Sequence, residues 1–185
     1  MNRPRLTLVA HSALAAVLQP GDCAVDATLG NGHDALFMAA RVGHTGRVIG
    51  FDVQEAALAA TRQAAEAAGL AQVLELHLCG HESMARVLGP AFAGRVAAVT
   101  FNLGYLPGGD KALVTRPETT AAGLQQAATL VRPQGLVSLL VYRGHAGAPA
   151  EVAAVDDWLG SLGEAWQVTR HDSPGPVLYL VRRRA

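Results

Sequence analysis

A glycine-rich turn between an apolar run and an amphipathic run constrains this sequence more than any other feature. The turn lies in the segment Asp26–Asp34, after the apolar residues Cys23–Val25 and before the amphipathic run Ala35–Val42. This order predicts a strand, a turn and a helix. Glycines spaced two residues apart let the backbone approach a ligand closely, and the first N–H groups of the helix point towards that ligand.

An acidic residue follows the turn at the spacing expected of a nucleotide-binding fold. Asp52 stands twenty residues after Gly32 and closes a second short apolar run, Arg47–Phe51. A carboxylate at the tip of the second strand is placed to accept hydrogen bonds from the two hydroxyls of a ribose. The pattern therefore indicates a cofactor that carries a ribose.

Strands and helices are predicted to alternate along the whole chain. Further strands are predicted at Val73–Leu78, Val96–Phe101 and Leu136–Tyr142, and an antiparallel hairpin at Trp166–Thr169 and Val177–Val181. Further helices are predicted at Leu14–Leu18, Glu55–Ala68 and Ser83–Leu88. Two more helices are predicted from residues that share one helical face, which are Thr120, Leu124, Ala127 and Val131 in the first and Val152, Val155, Leu159 and Leu162 in the second. This alternation predicts one α/β domain over residues 1–185, with a doubly wound, mostly parallel sheet and a C-terminal hairpin.

Polar residues stand at the carboxyl ends of the predicted parallel strands, where ligands bind in sheets of this kind. These residues are Asp26, Asp52, His81, Asn102 and His145. We expect all five to converge on one rim of the sheet. A glycine-rich loop, Asn102–Lys111, begins directly at the fourth strand.

Composition narrows the classes of function. The formal net charge is zero at pH 7, whereas proteins that grip long nucleic acids usually carry a basic surplus. The basic clusters lie near the ends of the chain, at Arg3, Arg5 and Arg182–Arg184. Apolar runs fall short of the ~20 residues that a membrane span requires. Two isolated cysteines fit a reducing compartment, so we expect a cytoplasmic protein without a signal peptide or a membrane segment.

The glycine turn is open to two cofactor interpretations. Residues Gly30–Ala35 satisfy the dinucleotide fingerprint G-x-G-x-x-A, so a nicotinamide oxidoreductase must be considered. Asp26 argues against it, because a carboxylate at that position would face a pyrophosphate and suits a cationic amino acid moiety better. We also expect no second domain that could hold a hydride acceptor, and the terminal hairpin is typical of enzymes that use S-adenosylmethionine (SAM).

Four segments carry a resemblance to a known family, in order along residues 20 to 160. They are Asp26–Asp34, Phe51–Gln54, Phe101–Lys111 and Tyr142–His145. Together they resemble the small bacterial family labelled putative rRNA methylase. Its members act as SAM-dependent tRNA methyltransferases that convert 5-aminomethyl-2-thiouridine at the wobble position into its methylaminomethyl form. Leu29 and Ala35 depart from the residues that many members have, which are alanine and threonine.

The resemblance implies a SAM site along the rim. The turn at Gly30–Gly32 would pass under the methionine portion, with Asp26 and Asp34 supplying negative charge, Asp52 holding the ribose and His81 lying near the adenine. The full set of expected cofactor residues is Asp26, Thr28, Gly30, Asn31, Gly32, His33, Asp34, Asp52, Gln54, His81, Glu82 and Asn102.

The catalytic residues expected from the glycine-rich loop and the fifth strand are Asn102, Tyr105, Asp110 and His145. Asn102 could accept hydrogen bonds from the substrate amine, Tyr105 could stack on the base, and Asp110 or His145 could take the proton. Lys111 or Arg143 could meet a phosphate. Three ordinary alternatives stay open: a simple turn at Gly108–Asp110, a packing role for Tyr105 and a strand-capping role for His145. We predict no metal site.

The expected partner is the anticodon loop of tRNA, and the chain length and family favour a homodimer. Other functions stay open. They are rRNA methylation, methylation of a small molecule, a nicotinamide oxidoreductase and a non-catalytic nucleotide sensor. His11 lies outside the rim motifs and receives no predicted role.

Overall fold

Seven strands within the described residues form one sheet. The computed structural model describes residues 5–104, 114–144 and 147–185. The strands are β1 (Cys23–Asp26), β2 (Arg47–Asp52), β3 (Leu74–Leu78), β4 (Val96–Leu103), β5 (Val131–Val141), β6 (Trp166–Asp172) and β7 (Val177–Arg183). Their order is β3-β2-β1-β4-β5-β7-β6. The first five run parallel, and β7 pairs antiparallel with β5 and β6, as the sequence predicts.

Helices cover both faces of the sheet. They are α1 (Leu6–Val17), α2 (His33–Val42), α3 (Glu55–Ala67), α4 (Met84–Leu88), α5 (Pro117–Leu130) and α6 (Ala148–Ser161). Leu14, Met38 and Leu58 bring α1, α2 and α3 into one buried cluster. Leu124 and Val155 bring α5 and α6 into a second buried cluster. Neighbouring residues of a strand point to opposite faces, and in β4 Ala98 joins the first cluster while Val99 joins the second. Helices therefore pack on both faces of the sheet, and the doubly wound prediction is confirmed.

The strand ends build the rim. Val25 of β1 pairs with Ile49 of β2 and with Val99 of β4, so the carboxyl ends of three adjacent strands lie side by side. Strand β4 is buried along nearly its whole length because helices pack on both sides of it. Within the described ranges, no helix has the length and apolar character needed to cross a membrane.

The first helix begins at Leu6 and ends at Val17, so it starts earlier than predicted and excludes Leu18. The predicted boundary between α5 and β5 was also wrong. Val131 does not extend the helical face of α5; it ends that helix and begins β5, where it pairs with Val96. The strand register then shifts, and Ala98 pairs with Leu136. Residues 132–135 form the irregular part between these pairs, and Gln134 adopts a φ of 63° there. An apolar residue at this junction satisfies the helical and the strand pattern equally well.

Candidate active site

A cavity of about 310 Å³ opens at the carboxyl ends of β1, β2 and β4. Seven of the residues predicted to bind a cofactor line it. They are Thr28, Gly30, Asp52, Gln54, His81, Glu82 and Asn102. Predicted ligands from three strand ends and the loop after β3 therefore share one space. A volume of this size lies at the lower end of the range for small-molecule sites.

Asp52 holds together the two turns that flank the cavity. Its Oδ2 accepts a hydrogen bond from the Gly30 N–H at 2.9 Å, and its Oδ1 accepts one from the Gln54 N–H at 3.0 Å. Each carboxylate oxygen has a second lone pair, so both can still accept a hydrogen bond from a ligand. The carboxylate is thus preorganised on the cavity wall.

Gly32 lets the turn after β1 pass close to α3. Its φ of 75° lies in the left-handed region. A Cβ atom at this position would lie 2.5 Å from Thr61 Oγ1, so a larger residue would be strained in conformation and in space. The spacing of the glycines therefore reflects backbone geometry as well as ligand approach.

Asn102 is fixed at the end of β4 by its backbone and by its side chain. Its N–H donates to Thr28 Oγ1 at 2.6 Å, and its Nδ2 donates to Asp34 Oδ2 at 2.8 Å. The other Asp34 oxygen lies 2.6 Å from His11 Nε2. Burial disfavours the charged form of Asp34, but the hydrogen bonds from His11 and Asn102 outweigh burial and hold the pKa of Asp34 below its ordinary value.

Asp26 lies beneath the cavity wall. The side chain is fully buried, and its Oδ1 accepts a long hydrogen bond of 3.3 Å from the Thr28 N–H. Burial, and next the charge of Asp34, raise the pKa of Asp26 to about 8. A carboxyl that is mostly protonated at pH 7 would not supply the negative charge expected of it from the sequence.

Four more predicted cofactor residues lie in the turn before α2 and in its first turn. They are Asn31, Gly32, His33 and Asp34, and none of them lines the cavity. Asp34 instead directs its two oxygens to His11 and Asn102. The contacts of Asn31, Gly32, His33 and Asp34 with a cofactor stay predictions.

His81 and Glu82 form the wall that follows β3. The His81 ring is 5% exposed and meets the Phe101 ring edge-on, with 5.6 Å between the ring centroids. A Cβ on Gly123 would lie 2.6 Å from His81 Cδ2, so the absence of a side chain on α5 makes room for the imidazole. Burial lowers the pKa of His81, which keeps the ring neutral at pH 7.

Sequence reasoning missed the wall that leads into α5. Thr115, Arg116 and Thr119 line the cavity. Fully buried Glu151 on α6 accepts hydrogen bonds from Thr115 Oγ1 at 2.8 Å and from Thr120 Oγ1 at 2.7 Å. A signal was available, because Glu151 stands four residues before the buried Val155, on the apolar side of α6.

The two predicted phosphate contacts, at Arg143 and Lys111, stay predictions. Arg143 donates from its guanidinium to the carbonyls of Ser173 at 2.7 Å and Gly175 at 2.9 Å, so it ties the end of β5 to the hairpin turn. Lys111 lies outside the described residues, as do the predicted catalytic residues Tyr105, Asp110 and His145.

The basic cluster Arg182–Arg184 lies at the end of the sheet away from the cavity. Arg182 pairs there with Leu136, near the start of β5.

The strand order, the polar rim and the terminal hairpin define a Rossmann-like, class I methyltransferase fold. A putative rRNA methylase from Clostridium thermocellum has a solved structure that superposes with a TM-score of 0.92 at 33% identity, covering 99% of this chain and 100% of that one. A putative methyltransferase from Streptococcus mutans, solved in complex with SAH, superposes with a TM-score of 0.87 at 28% identity, covering 98% and 99%.

Within this class, the chain belongs to the family described as Putative rRNA methylase, whose sequence profile matches residues 48–174. It is also similar to the chloroplastic tRNA (mnm(5)s(2)U34)-methyltransferase of Arabidopsis thaliana, with 39% identity over 163 residues. That match covers 83% of this chain and 58% of the plant protein, so the chain spans somewhat more than half the length of this relative. The family resemblance expected from the sequence is confirmed.

Proposed function

We propose that this protein is a SAM-dependent methyltransferase that methylates the amino group of 5-aminomethyl-2-thiouridine at the wobble position of tRNA. The observation that carries the proposal is the shared cavity of Asp52 and Asn102. A ribose-binding carboxylate and an amine-orienting amide must face the same space for methyl transfer between two bound molecules.

The cavity suits a cationic nucleoside cofactor. Two carboxylates, Asp52 and Glu82, line it against one cation, Arg116, among the described residues. Asp52 offers free lone pairs for ribose hydroxyls, and neutral His81 with Glu82 forms the wall assigned to the adenine. When bound, SAM supplies an activated methyl group to a nucleophile. The solved Streptococcus mutans methyltransferase with bound SAH supports this choice of cofactor.

Asn102 is the residue that orients the nucleophile. An alkyl amine is mostly protonated in water at pH 7, and only its neutral form has the lone pair that methyl transfer requires. The Asn102 Oδ1 would accept a hydrogen bond from the amine N–H and aim the lone pair into the cavity. Hydrogen bonds to Thr28 and Asp34 hold Asn102 in place, so little reorganisation is needed when substrate binds.

The choice of substrate draws on the relatives. The Arabidopsis protein carries the name tRNA (mnm(5)s(2)U34)-methyltransferase, and a methylaminomethyl group is what one methylation of an aminomethyl group yields. A primary alkyl amine on a uridine matches an asparagine that accepts a hydrogen bond and a cavity that removes water from the amine. The anticodon loop presents this base in single-stranded RNA, where it can leave the stack and enter a pocket.

Two experiments test the proposal. Titration calorimetry with SAM, SAH and NAD should show binding of the first two only, and tight NAD binding without SAM binding would exclude the methyltransferase. Nucleoside mass spectrometry of tRNA bearing 5-aminomethyl-2-thiouridine should then show a gain of one methyl group after incubation with SAM. The matched control is the same tRNA with unmodified uridine at that position. Methylation of both tRNAs, or of neither, would reject the assigned substrate.

A further inference from the structure

A chain of side-chain hydrogen bonds runs from α1 to the cavity wall. His11 Nε2 lies 2.6 Å from Asp34 Oδ1, and Asn102 Nδ2 donates to Asp34 Oδ2 at 2.8 Å. The three residues come from α1, from the first turn of α2 and from the end of β4. Of these three residues, Asn102 lines the cavity, so it is the member through which the chain of hydrogen bonds reaches the cavity.

The carboxylate of Asp34 determines the orientation of the Asn102 side-chain amide. A carboxylate accepts hydrogen bonds and donates none, so it must face the NH₂ of the amide and not its oxygen. Fixing the NH₂ on Asp34 turns the Asn102 Oδ1 away from Asp34. The oxygen is then the group that Asn102 offers to an amine N–H. The reverse orientation would present an NH₂ that donates to the amine lone pair and so occupies the electrons that methyl transfer requires.

His11 holds Asp34 in the position from which its carboxylate accepts the hydrogen bond of the Asn102 NH₂. The His11 ring stacks on Phe37 of α2 with 4.0 Å between the ring centroids and 13° between the ring planes. Stacking restrains the ring, and the ring nitrogen restrains Asp34 Oδ1. Asp34 has 18% of its side chain exposed, so without His11 its carboxylate could rotate towards water and release the Asn102 amide.

We propose that His11 is a positioning residue that fixes the amide orientation of Asn102 through Asp34. This inference rests on the proposed function, because it assigns His11 a part in orienting the substrate amine. It differs from the role expected from the sequence, in which Asp34 contacts the cofactor and His11 has none. The two roles predict different kinetic effects.

Replacement of His11 should separate turnover from cofactor affinity. In His11→Ala, we expect kcat for tRNA methylation to fall roughly tenfold, as for loss of one charge-assisted hydrogen bond, with an unchanged dissociation constant for SAM. His11→Gln should recover most of kcat because its amide N–H can donate to Asp34. His44→Ala is the matched control, since His44 bonds only the exposed Gln72 among the contacts that the described residues show, and it should keep the wild-type rate.

A spectroscopic measurement tests the inference apart from catalysis. In ¹⁵N-labelled protein, the side-chain NH₂ of Asn102 should exchange slowly with solvent, and this protection should be lost in His11→Ala and in Asp34→Asn and recovered in His11→Gln. Thermal unfolding checks that each variant is folded. Failure of wild-type protein to methylate tRNA would reject the proposed function, while the exchange data would still test the hydrogen-bond chain.

Two outcomes would overturn the inference. One is wild-type kcat and wild-type Asn102 protection in a folded His11→Ala variant. The other is a large loss of SAM affinity in that variant with kcat unchanged at saturating SAM, which would assign Asp34 to the cofactor site.

Discussion

Asp26 is expected to make the stability of the protein fall as the pH rises through neutrality. Its carboxyl group is fully buried at the end of β1, and burial, followed by repulsion from Asp34, raises its pKa to about 8. These effects outweigh the hydrogen bonds from Thr28 and Thr100 that favour its charged form. The substitution Asp26→Asn keeps the size of the side chain and removes its ionisation.

The sign follows from proton binding in the two states. Between the ordinary carboxyl pKa of ~4 and about 8, folded Asp26 holds a proton that the unfolded chain has released. The free energy of unfolding therefore falls with rising pH, by up to ~1.4 kcal/mol per pH unit from this group. Between pH 5 and pH 8, Asp26→Asn should gain roughly 3 kcal/mol relative to wild type.

Urea unfolding at pH 5, 6, 7 and 8 measures this difference. Subtracting the two pH profiles removes shared contributions, including that of His81, whose lowered pKa makes stability rise with pH up to its ordinary value. Asp172→Asn is the control, because that carboxylate is on β6, with 57% of its side chain exposed, and its profile should parallel wild type. Parallel profiles for Asp26→Asn would refute the reasoning and show that folded Asp26 is charged near pH 7.

Three further predictions concern the cavity and its supports. Asp52→Ala should weaken SAM binding at least ~100-fold in calorimetry, because two hydrogen bonds from ribose to a carboxylate are lost; unchanged affinity would remove Asp52 from the ribose site. Asn102→Ala should leave SAM affinity within about threefold and lower kcat about 100-fold, as for loss of a preorganised polar group; a wild-type rate would show that the amide does not orient the amine. Glu151→Ala should lower the free energy of unfolding by about 3 kcal/mol, because two threonine hydroxyls lose a buried acceptor. Exposed Glu118 on α5 supplies the control, and a loss in Glu151→Ala no larger than in Glu118→Ala would contradict the supporting role.

The rim was predictable because it depends on strand ends. An apolar run that stops at an acid or an amide marks the carboxyl end of a strand, and parallel strands bring such ends together. Asp52 and Asn102, fifty residues apart in sequence, therefore meet on one cavity as expected. Local pattern was enough for this part of the site.

The supports of the rim were not predictable from local pattern. His11 reaches Asp34 only because α1 packs beside α2, and no periodicity in the first twenty residues reports that contact. Val131 was assigned to a helix because an apolar residue at the end of α5 also fits the start of a buried strand. The wall at Thr115 and Arg116 depends on Glu151, which is thirty-six residues beyond Thr115 in the chain.

The three aspartates around the glycine turn show why residue type alone does not assign a role. Asp26 is fully buried, which disfavours its charged form, and the nearby charge of Asp34 disfavours that form further. Asp34 receives hydrogen bonds from His11 and Asn102, which offset its own burial and favour its charge. Asp52 is half-buried on the cavity wall and accepts two backbone N–H groups. Because ionising one buried carboxyl raises the pKa of its neighbour, the pairing of Asp34 with His11 helps to keep Asp26 neutral. The α1 helix therefore influences both the charge beneath the cavity and the orientation of the amide on its wall.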